Sequence, residues 1–477
     1  MHASPDKLAA PRAFAQLPLS AAMLANLAQL GYAEMTPIQA ASLPPALQGR
    51  DLIAQAQTGS GKTAAFALAL LSKLDSADKG LQALVLCPTR ELADQVTQEI
   101  RRLARAEENV KVLTLCGGSP MRPQIESLQF GCHIAVGTPG RLLDHLERDT
   151  LDLSGLKTLV LDEADRMLDM GFFDDIAAVA KRAPKQRQTL LFSATYPEGI
   201  AKLAAQLLRD PLEVKLSAAA TQSPAQIRQI AFEVTENQRL HAVAQLLQHY
   251  RPASTIAFCN TKQQCRDLVE VLQAQGFVAM ALHGDLEQRD RDQVLIQFAN
   301  RSCSVLVATD VAARGLDIAQ LECVINVEVT PDAEVHVHRI GRTGRAGAEG
   351  LALSLVSMDE MGRIGRIEQL QGQVLPWQGL DTLTVAPGGP LLPPMDTLQI
   401  LGGRKDKIRP GDVLGALTGE AGFTAAEIGK INVTDFHTYV AVARGIAREA
   451  VKRLSLGKLK GRKVKVRRLA DLIAGEE

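Results

Sequence analysis

The feature that most limits what this chain can fold into is a repeated alternation. Short apolar runs closing on small or polar residues recur along it, and segments of helical period separate most of them. In the first half the runs are "ALVLCPT" (83–89), "HIAVGTPGR" (133–141), "TLVLDEAD" (158–165) and "QTLLFSAT" (188–195). In the second half they are "TIAFCNT" (255–261), "VAMALHGD" (278–285), "SVLVATD" (304–310) and "CVINVEV" (323–329). Between them lie stretches such as "RELADQVTQEIRRLAR" (90–105) and "QQCRDLVEVLQAQG" (263–276). Near-continuous apolar strands alternating with helices predict parallel sheets covered on both faces. Such sheets bind ligands beyond the carboxyl ends of their strands, where these polar residues stand. Two sets predict two tandem α/β domains, 1–216 and 217–374, dividing near "SAAATQSPAQ" (217–226). A chain of 477 residues is too long for one core, which agrees.

A proline- and glycine-rich stretch, 375–394, reads as a linker. Residues 395–477 then change rhythm. A strand at "DTLQIL", a helix at "PGDVLGALTG", strands at "IGKINV" and "TYVAVA", a helix at "IAREAVKRL" and a strand at "KVKVRRL" give the order βαββαβ. That is the ferredoxin-like order of RNA-recognition modules; another small α+β module is the alternative.

Charge separates this region from the rest. The chain has 53 basic and 53 acidic side chains, but residues 395–477 hold 16 basic and 10 acidic ones. A module of net +6 therefore follows a portion of net −6. The segment "KRLSLGKLKGRKVKVRR" (452–468) has nine Lys or Arg and no acid. A free tail, a membrane-surface helix and a nucleic-acid contact would all suit such a run. Its end alternates with period two, which disfavours the membrane helix and predicts a strand with Val464 and Val466 inward and Lys463, Lys465 and Arg467 opposite. A basic module on a slightly acidic partner suits an RNA anchor. The long apolar run "AAFALALL" (64–71) has eight residues, against the roughly 18 of a membrane span. The N-terminus has no charged-then-apolar signal pattern, and the seven cysteines form no CxxC pair. Buried, reduced thiols in a cytoplasmic protein are expected.

Three motifs carry chemistry. "AQTGSGKT" (56–63) matches a phosphate loop with Ala56 in place of its first glycine, between an apolar run and a helical segment. Gly59 and Gly61 let backbone N–H groups turn toward a triphosphate, Lys62 reaches its β- and γ-phosphates, and Thr63 can ligate Mg²⁺. Thr58 and Ser60 complete the nucleotide-binding loop. "LVLDEAD" (159–165) gathers three acids at the end of a buried strand. Asp162 fits the carboxylate that holds Mg²⁺, and Glu163 fits the base or orienter of an attacking water. "HRIGRTGR" (338–345) spaces three arginines that suit either a clamp on a transferring phosphoryl group or a solvated basic loop.

In this order the motifs resemble those of the DEAD-box ATP-dependent RNA helicases. Phe14 and "TPIQ" (36–39) come first, then "AQTGSGKT", "PTRELADQ" (88–95), "GG" (117–118), "TPGR" (138–141), "DEAD" (162–165) and "SAT" (193–195). "FCNT" (258–261), "HGDLEQRDRD" (283–292), "ATDVAARGLD" (308–317) and "HRIGRTGR" follow. The resemblance implies two RecA-like parallel-sheet domains that hydrolyse ATP and separate short RNA duplexes without processive tracking. It implies that Phe14 stacks on adenine, that Gln39 reads the adenine edge and that Asp317 contacts the ribose. Arg342 and Arg345 become the arginine fingers. Asp165, Ser193 and Thr195 couple nucleotide state to domain closure. Arg90, Gly118, Thr138, Arg141 and Thr309 lie along the RNA backbone, which carries no sequence information.

"CPTRELADQV", "RQTLLFSAT", "LHGDLEQRDRDQ", "EVHVHRIGRT" and "RPGDVLGALTG" further resemble the bacterial DbpA subfamily. That resemblance implies an RNA-recognition-like domain directed to a hairpin in the peptidyl-transferase region of 23S ribosomal RNA, during assembly of the large subunit. A general RNA helicase or chaperone, or an ATP-regulated RNA clamp, is the alternative. Arg404, Lys405, Lys407 and Arg409 fit a phosphate clamp or a solvated loop. Lys458, Lys460, Arg462, Lys463 and Lys465 are further candidates for RNA contact. The first strand of the module has no aromatic residue, and the third offers Tyr439 with Phe436 and His437 just before it. The expected grip is therefore through phosphates and loop bases, without base stacking across the sheet.

Overall fold

A computed structural model describes residues 13–56, 59–215, 227–313, 321–344, 349–384 and 387–473. The first domain is built on a parallel sheet of seven described strands. They are β1 (Leu52–Gln55), β2 (Ala83–Leu86), β3 (Val112–Leu115), β4 (Ile134–Gly137), β5 (Thr158–Leu161), β6 (Gln188–Ser193) and β7 (Leu212–Lys215). Their order across the sheet is β3-β4-β2-β5-β6-β1-β7. Alternate residues of one strand enter different cores. Ala83 and Val85 join one cluster with Phe66 and Leu68, while Leu84 and Leu86 join another with Leu142 and Ile176. Both faces are thus covered by helices, which is why the strands read as unbroken apolar runs. Burying a side chain such as Phe66, which packs 5.4 Å from Phe192, contributes about 1.5–3 kcal/mol.

The second domain repeats this plan. Its strands are β8 (Ile227–Glu233), β9 (Thr255–Cys259), β10 (Ala279–Leu282), β11 (Val305–Thr309), β12 (Cys323–Asn326), β13 (Gly350–Val356) and β14 (Trp377–Gln378), in the order β10-β11-β9-β12-β13-β8-β14. The proline- and glycine-rich connection is held against this domain. Within it, β14 pairs with β8, Leu375 is buried, and Arg251 donates to the Gly389 carbonyl at 2.8 Å.

The C-terminal module is an antiparallel sheet of β15 (Met395–Leu401), β16 (Ile428–Val433), β17 (His437–Ala443) and β18 (Val466–Arg468), ordered β16-β17-β15-β18. The helices Pro410–Gly415 and Ala447–Leu456 pack on one face, over Leu398, Ile400, Val440 and Val442. The expected βαββαβ order holds, with a shorter last strand than the sequence suggests. Residues 463–465 lie outside it, and a short helix, Leu469–Ile473, begins directly after Arg468. Val464 and Val466 still pack on the core while Lys463 and Lys465 are exposed, as their alternation predicted.

The other face of the module sheet packs on the second domain. Thr397 Oγ1 lies 2.7 Å from Ser302 Oγ and accepts from Asn300 Nδ2 at 3.1 Å. Asn432 Nδ2 donates to Asn300 Oδ1 at 3.3 Å. Gln399 and Tyr439 are buried in the same face, joined by a 3.2 Å hydrogen bond. Ordinary RNA-recognition modules stack bases on this face. Here protein covers it, and Tyr439, the aromatic residue in the middle of its central strands, is enclosed.

All seven cysteines are buried and free. Burial pushes the Cys303 thiol up to about 12 and that of Cys132 up to about 11, which agrees with inert core thiols. Among the described residues no helix is long and apolar enough to cross a membrane.

Candidate active site and RNA interface

In the first sheet the two halves gather different chemistry. Strands β5, β6 and β1 end in the acids, the "SAT" segment and the phosphate loop. Strands β3, β4 and β2 end in the "GG", "TPGR" and "PTRELADQ" segments. The parallel arrangement puts all of these at the carboxyl edge.

The phosphate loop leads into the helix Lys62–Leu71 through Gly61, whose φ of 94° lies in the left-handed region. A Cβ on Gly61 would lie 2.6 Å from Gln39 Nε2, so glycine is required here on two counts. Lys62 is buried and donates to the Ala56 carbonyl at 2.8 Å. Gln39 sits in a capping box with Thr36 and donates to the Gly61 carbonyl at 3.1 Å. Its amide oxygen accepts from Thr36 N at 2.9 Å. A carboxamide has two donors and two lone pairs, so each end keeps one for a base edge. Phe14 is buried, edge-on to Tyr32 at 6.1 Å.

The acids follow β5. Asp162 Oδ1 is buried with no hydrogen-bond partner among the described residues. Burial pushes the Asp162 carboxyl up to about 7; the Lys62 charge opposes the rise and the Glu163 charge adds to it. Glu163 caps the next helix with a φ of 52°, unusual for a residue with a side chain, and pairs with Arg166 at 2.6 Å. Such backbone strain costs of order 1–3 kcal/mol and clusters at functional sites. Asp165 turns toward β6. Its Oδ2 accepts from Ala194 N at 3.0 Å, Thr195 N at 2.8 Å and Thr195 Oγ1 at 3.0 Å. Asp165 N donates to Ser193 Oγ at 3.2 Å. The structure therefore joins the acid loop to the "SAT" segment through one buried carboxylate.

At the other half of the edge, Thr89 caps the helix that begins at Arg90, and Arg90 lies 3.8 Å from Asp94. Thr138 precedes the helix Pro139–Glu147. Arg141 on that helix donates to the Ser119 carbonyl at 2.9 Å and to Gln124 Oε1 at 3.2 Å. It thus fixes the turn containing Gly118, whose φ is 73°.

In the second domain Thr309 closes β11 and Arg342 is buried. Thr58, Asp317 and Arg345 lie outside the described residues. Arg339, the first arginine of "HRIGRTGR", serves the domain interior. It binds both oxygens of Asp310 at 2.7 and 2.8 Å, donates to Asn260 Oδ1 at 2.9 Å and stacks on Phe258 at 5.2 Å. Arg339 is therefore engaged within the domain by Asp310 and Asn260.

In the module, two basic clusters far apart in sequence are adjacent in space. Lys460 Nζ donates to the Lys407 carbonyl at 2.6 Å and lies 3.2 Å from Asp412. Lys460 and Gly461 have φ of 53° and 77°, and Leu459 and Arg462 exchange backbone hydrogen bonds around them. This is the two-residue turn of a tight hairpin, which needs positive φ at both central positions. Arg404 pairs with Asp435 at 3.0 Å, and Lys405 Nζ lies 4.3 Å over the exposed Phe436 ring. Lys458, Arg462, Lys463 and Lys465 lie on or beside this turn. Arg444 and Arg448 carry no sequence motif; at the other end of the sheet they meet Arg468, the last residue of the basic run 452–468.

Comparison with known proteins agrees with this geometry. Residues 36–203 match the DEAD/DEAH box helicase family, 238–347 the helicase conserved C-terminal domain, and 397–468 the DbpA RNA binding domain. The chain belongs to the DEAD-box ATP-dependent RNA helicases, and its two parallel sheets are RecA-like domains. Within that family it is of the DbpA type, being 53% identical over 457 residues to the ATP-dependent RNA helicase DbpA of Escherichia coli K12, which covers 94% of this chain and 98% of the relative. The DEAD-box helicase CshA of Bacillus cereus is 46% identical over 69% of this chain and 62% of its own length. Among solved structures, Saccharomyces cerevisiae Dbp5 bound to RNA and ADP BeF3 is similar with a TM-score of 0.71 and 30% identity, covering 78% of this chain and 96% of that one.

Proposed function

We propose that this RNA helicase acts on 23S ribosomal RNA during assembly of the large ribosomal subunit, in the cytoplasm. The observation that carries the reading is the C-terminal module, whose residues 397–468 match a DbpA RNA binding domain and whose two basic loops lie side by side. Those loops would grip phosphates and loop bases of a structured RNA, since the sheet face is occupied by protein. The general-helicase reading lacks any role for such a module.

In the engine, Lys62 and the loop N–H groups hold the triphosphate, while Phe14, Gln39 and Asp317 select and seat the nucleoside. Glu163, held by Arg166, orients the attacking water. Arg342 and Arg345 stabilise charge on the transferring phosphoryl group. Asp162 and Thr63 offer hard oxygen donors, and the orphaned Asp162 Oδ1 fits a Mg²⁺ ion. A Mg²⁺ ion held by these two side chains would supply neutralising charge for the triphosphate. Asp165 relays nucleotide state to Ser193 and Thr195. Arg90, Gly118, Thr138, Arg141 and Thr309 hold one RNA strand by its backbone, and closure of the domains bends that strand out of duplex form.

ATPase stimulation by 23S rRNA fragments, compared with poly(A), tests the reading. Preferential stimulation by the rRNA hairpin is expected, and equal stimulation by both would favour the general helicase. Neutralising Lys458, Lys460, Arg462, Lys463 and Lys465 should erase the preference and flatten the salt dependence of binding, by roughly 0.7–0.9 log–log units for each phosphate no longer neutralised.

A further inference from the structure

The C-terminal module has a second concentration of positive charge, at the end of its sheet opposite the basic loops. The start of β15, the residues after β17, the end of β18 and the first turn of the helix Ala447–Leu456 border a cavity of about 300 Å³. Asp396, Arg444, Gly445, Ala447, Arg448 and Arg468 line it. Asp396 is buried, with Arg468 at 3.1 Å and Arg444 at 3.6 Å. Arg468 also lies 3.4 Å from Asp471.

One buried carboxylate needs a single cation. This one has two, and exposed Arg448 adds a third that makes no ion pair among the described residues. Even with Asp471 counted, cations exceed anions. Arg468 Nε is shielded from water and has no hydrogen-bond acceptor among the described residues, and Arg444 Nη1, equally shielded, comes no nearer to Asp396 than the 3.6 Å of their ion pair. Such donors are costly to leave unmatched. Planar forks held in place by a carboxylate favour oxyanions with several acceptor atoms, and the first turn of a ten-residue helix adds positive potential.

We propose that this pocket binds a phosphate group. It is separate from the loops at 404–407 and 458–465: Asp396 and Arg444 lie at the opposite end of β15 from them, roughly 20 Å away for a seven-residue strand, and Arg468 stands at the far end of β18 from Lys465, about 10 Å along the chain. The phosphate comes from the RNA backbone or from a free phosphate compound, and only the RNA source rests on the proposed function.

The test uses the full chain and Arg448→Gln, chosen because Arg448 is exposed and outside the catalytic site. Inorganic phosphate is titrated while the Nε–H NMR signals of Arg444 and Arg468 are followed. RNA affinity is then measured across salt with a 23S fragment. Saturable shifts are expected in the wild type and weaker ones in the variant. If RNA supplies the phosphate, the salt slope falls by about 0.7–0.9, roughly a five- to eightfold loss at 0.1 M salt relative to 1 M. A phosphate response with an unchanged RNA slope identifies a free phosphate compound as the ligand. No response to phosphate together with an unchanged slope overturns the inference. RNA-stimulated ATPase of the same wild-type preparation reports separately on the RNA reading, so the two can fail independently.

Discussion

The two RecA-like domains share one strand order, position for position, yet they use their strand ends in opposite ways. After β1 the chain makes a glycine loop and buries Lys62 at the start of a helix, against the Ala56 carbonyl. After β8, the strand in the same position, it makes a capping box at Thr235 and buries Arg239 in the following helix. Arg239 is fully engaged: Glu236 and Glu360 bind it at 2.5 and 3.0 Å, and the Val327 and Leu355 carbonyls accept from it at 2.7 and 3.3 Å. Directly after β5 stands Asp162, which keeps an unmatched oxygen, while β12, the strand in the same position of the second sheet, closes on Asn326, bonded to Ser354 at 3.0 Å. One scaffold thus supports a site where charges are left for a ligand and a site where they are consumed by the fold. The difference is set by a few side chains at strand ends and not by topology.

The contrast can be broken most sharply at Glu163. Glu163→Gln should lower ATP turnover by about 10²–10⁴-fold while nucleotide and RNA binding persist, because it removes a base and leaves the loop. Steady-state ATPase beside equilibrium binding checks this, and normal turnover would remove Glu163 from the chemistry.

In the second domain the equivalent change should cost stability and spare chemistry. Arg239→Leu removes the 3.0 Å ion pair of the buried Glu360, which keeps only Arg363 at 3.4 Å as a cation, and takes a donor from two carbonyls, so a loss of about 3 kcal/mol in denaturant unfolding is expected. If the variant were harmless, Arg239 would not be the closed counterpart of Lys62.

A finer probe is pH. With its carboxyl raised to about 7 in the folded protein, Asp162 is protonated below that value and cannot hold a cation well. The ATPase kcat/KM should therefore rise with pH, up to about tenfold per unit, and level off above about 7. The stability linkage has the other sign. Between the ordinary carboxylate value near 3.8 and about 7 the folded state holds a proton that the unfolded state has lost, so this group's contribution falls as pH rises through that window. A flat kcat/KM profile from pH 6 to 8 would show that Asp162 is already ionised.

Much of this was legible in the sequence. The phosphate loop, the acid-ended strand and the alternation of strands and helices are local patterns, fixed within a few residues by backbone freedom and hydrophobic period. The βαββαβ order of the module was legible for the same reason. The spatial relations were less so. "HRIGRTGR" suggested three equivalent arginines, but Arg339 faces Asp310 and Asn260 inside the domain. The basic runs at 404–409 and 458–465 read as separate features until Lys460 is seen to reach the Lys407 carbonyl. Arg444 and Arg448 carry no motif, and only the pairing of β15 with β17 and β18 brings them to Arg468, the last cation of the 452–468 run.

What the sequence determined by itself was the class of machine: residue types at fixed short spacings suffice to make a phosphate loop, a carboxylate strand end and an alternating α/β chain. What only the tertiary structure decided was which charges remain available. Whether a buried cation meets a single carbonyl, as with Lys62, or is enclosed by acids and carbonyls, as with Arg239 and Arg339, depends on partners that lie as far as 121 residues away in sequence. Whether the module's sheet faces RNA or protein depends likewise on Asn300 and Ser302 meeting Thr397 and Asn432. Buried polar groups must find partners wherever the fold supplies them, and that search is settled in space.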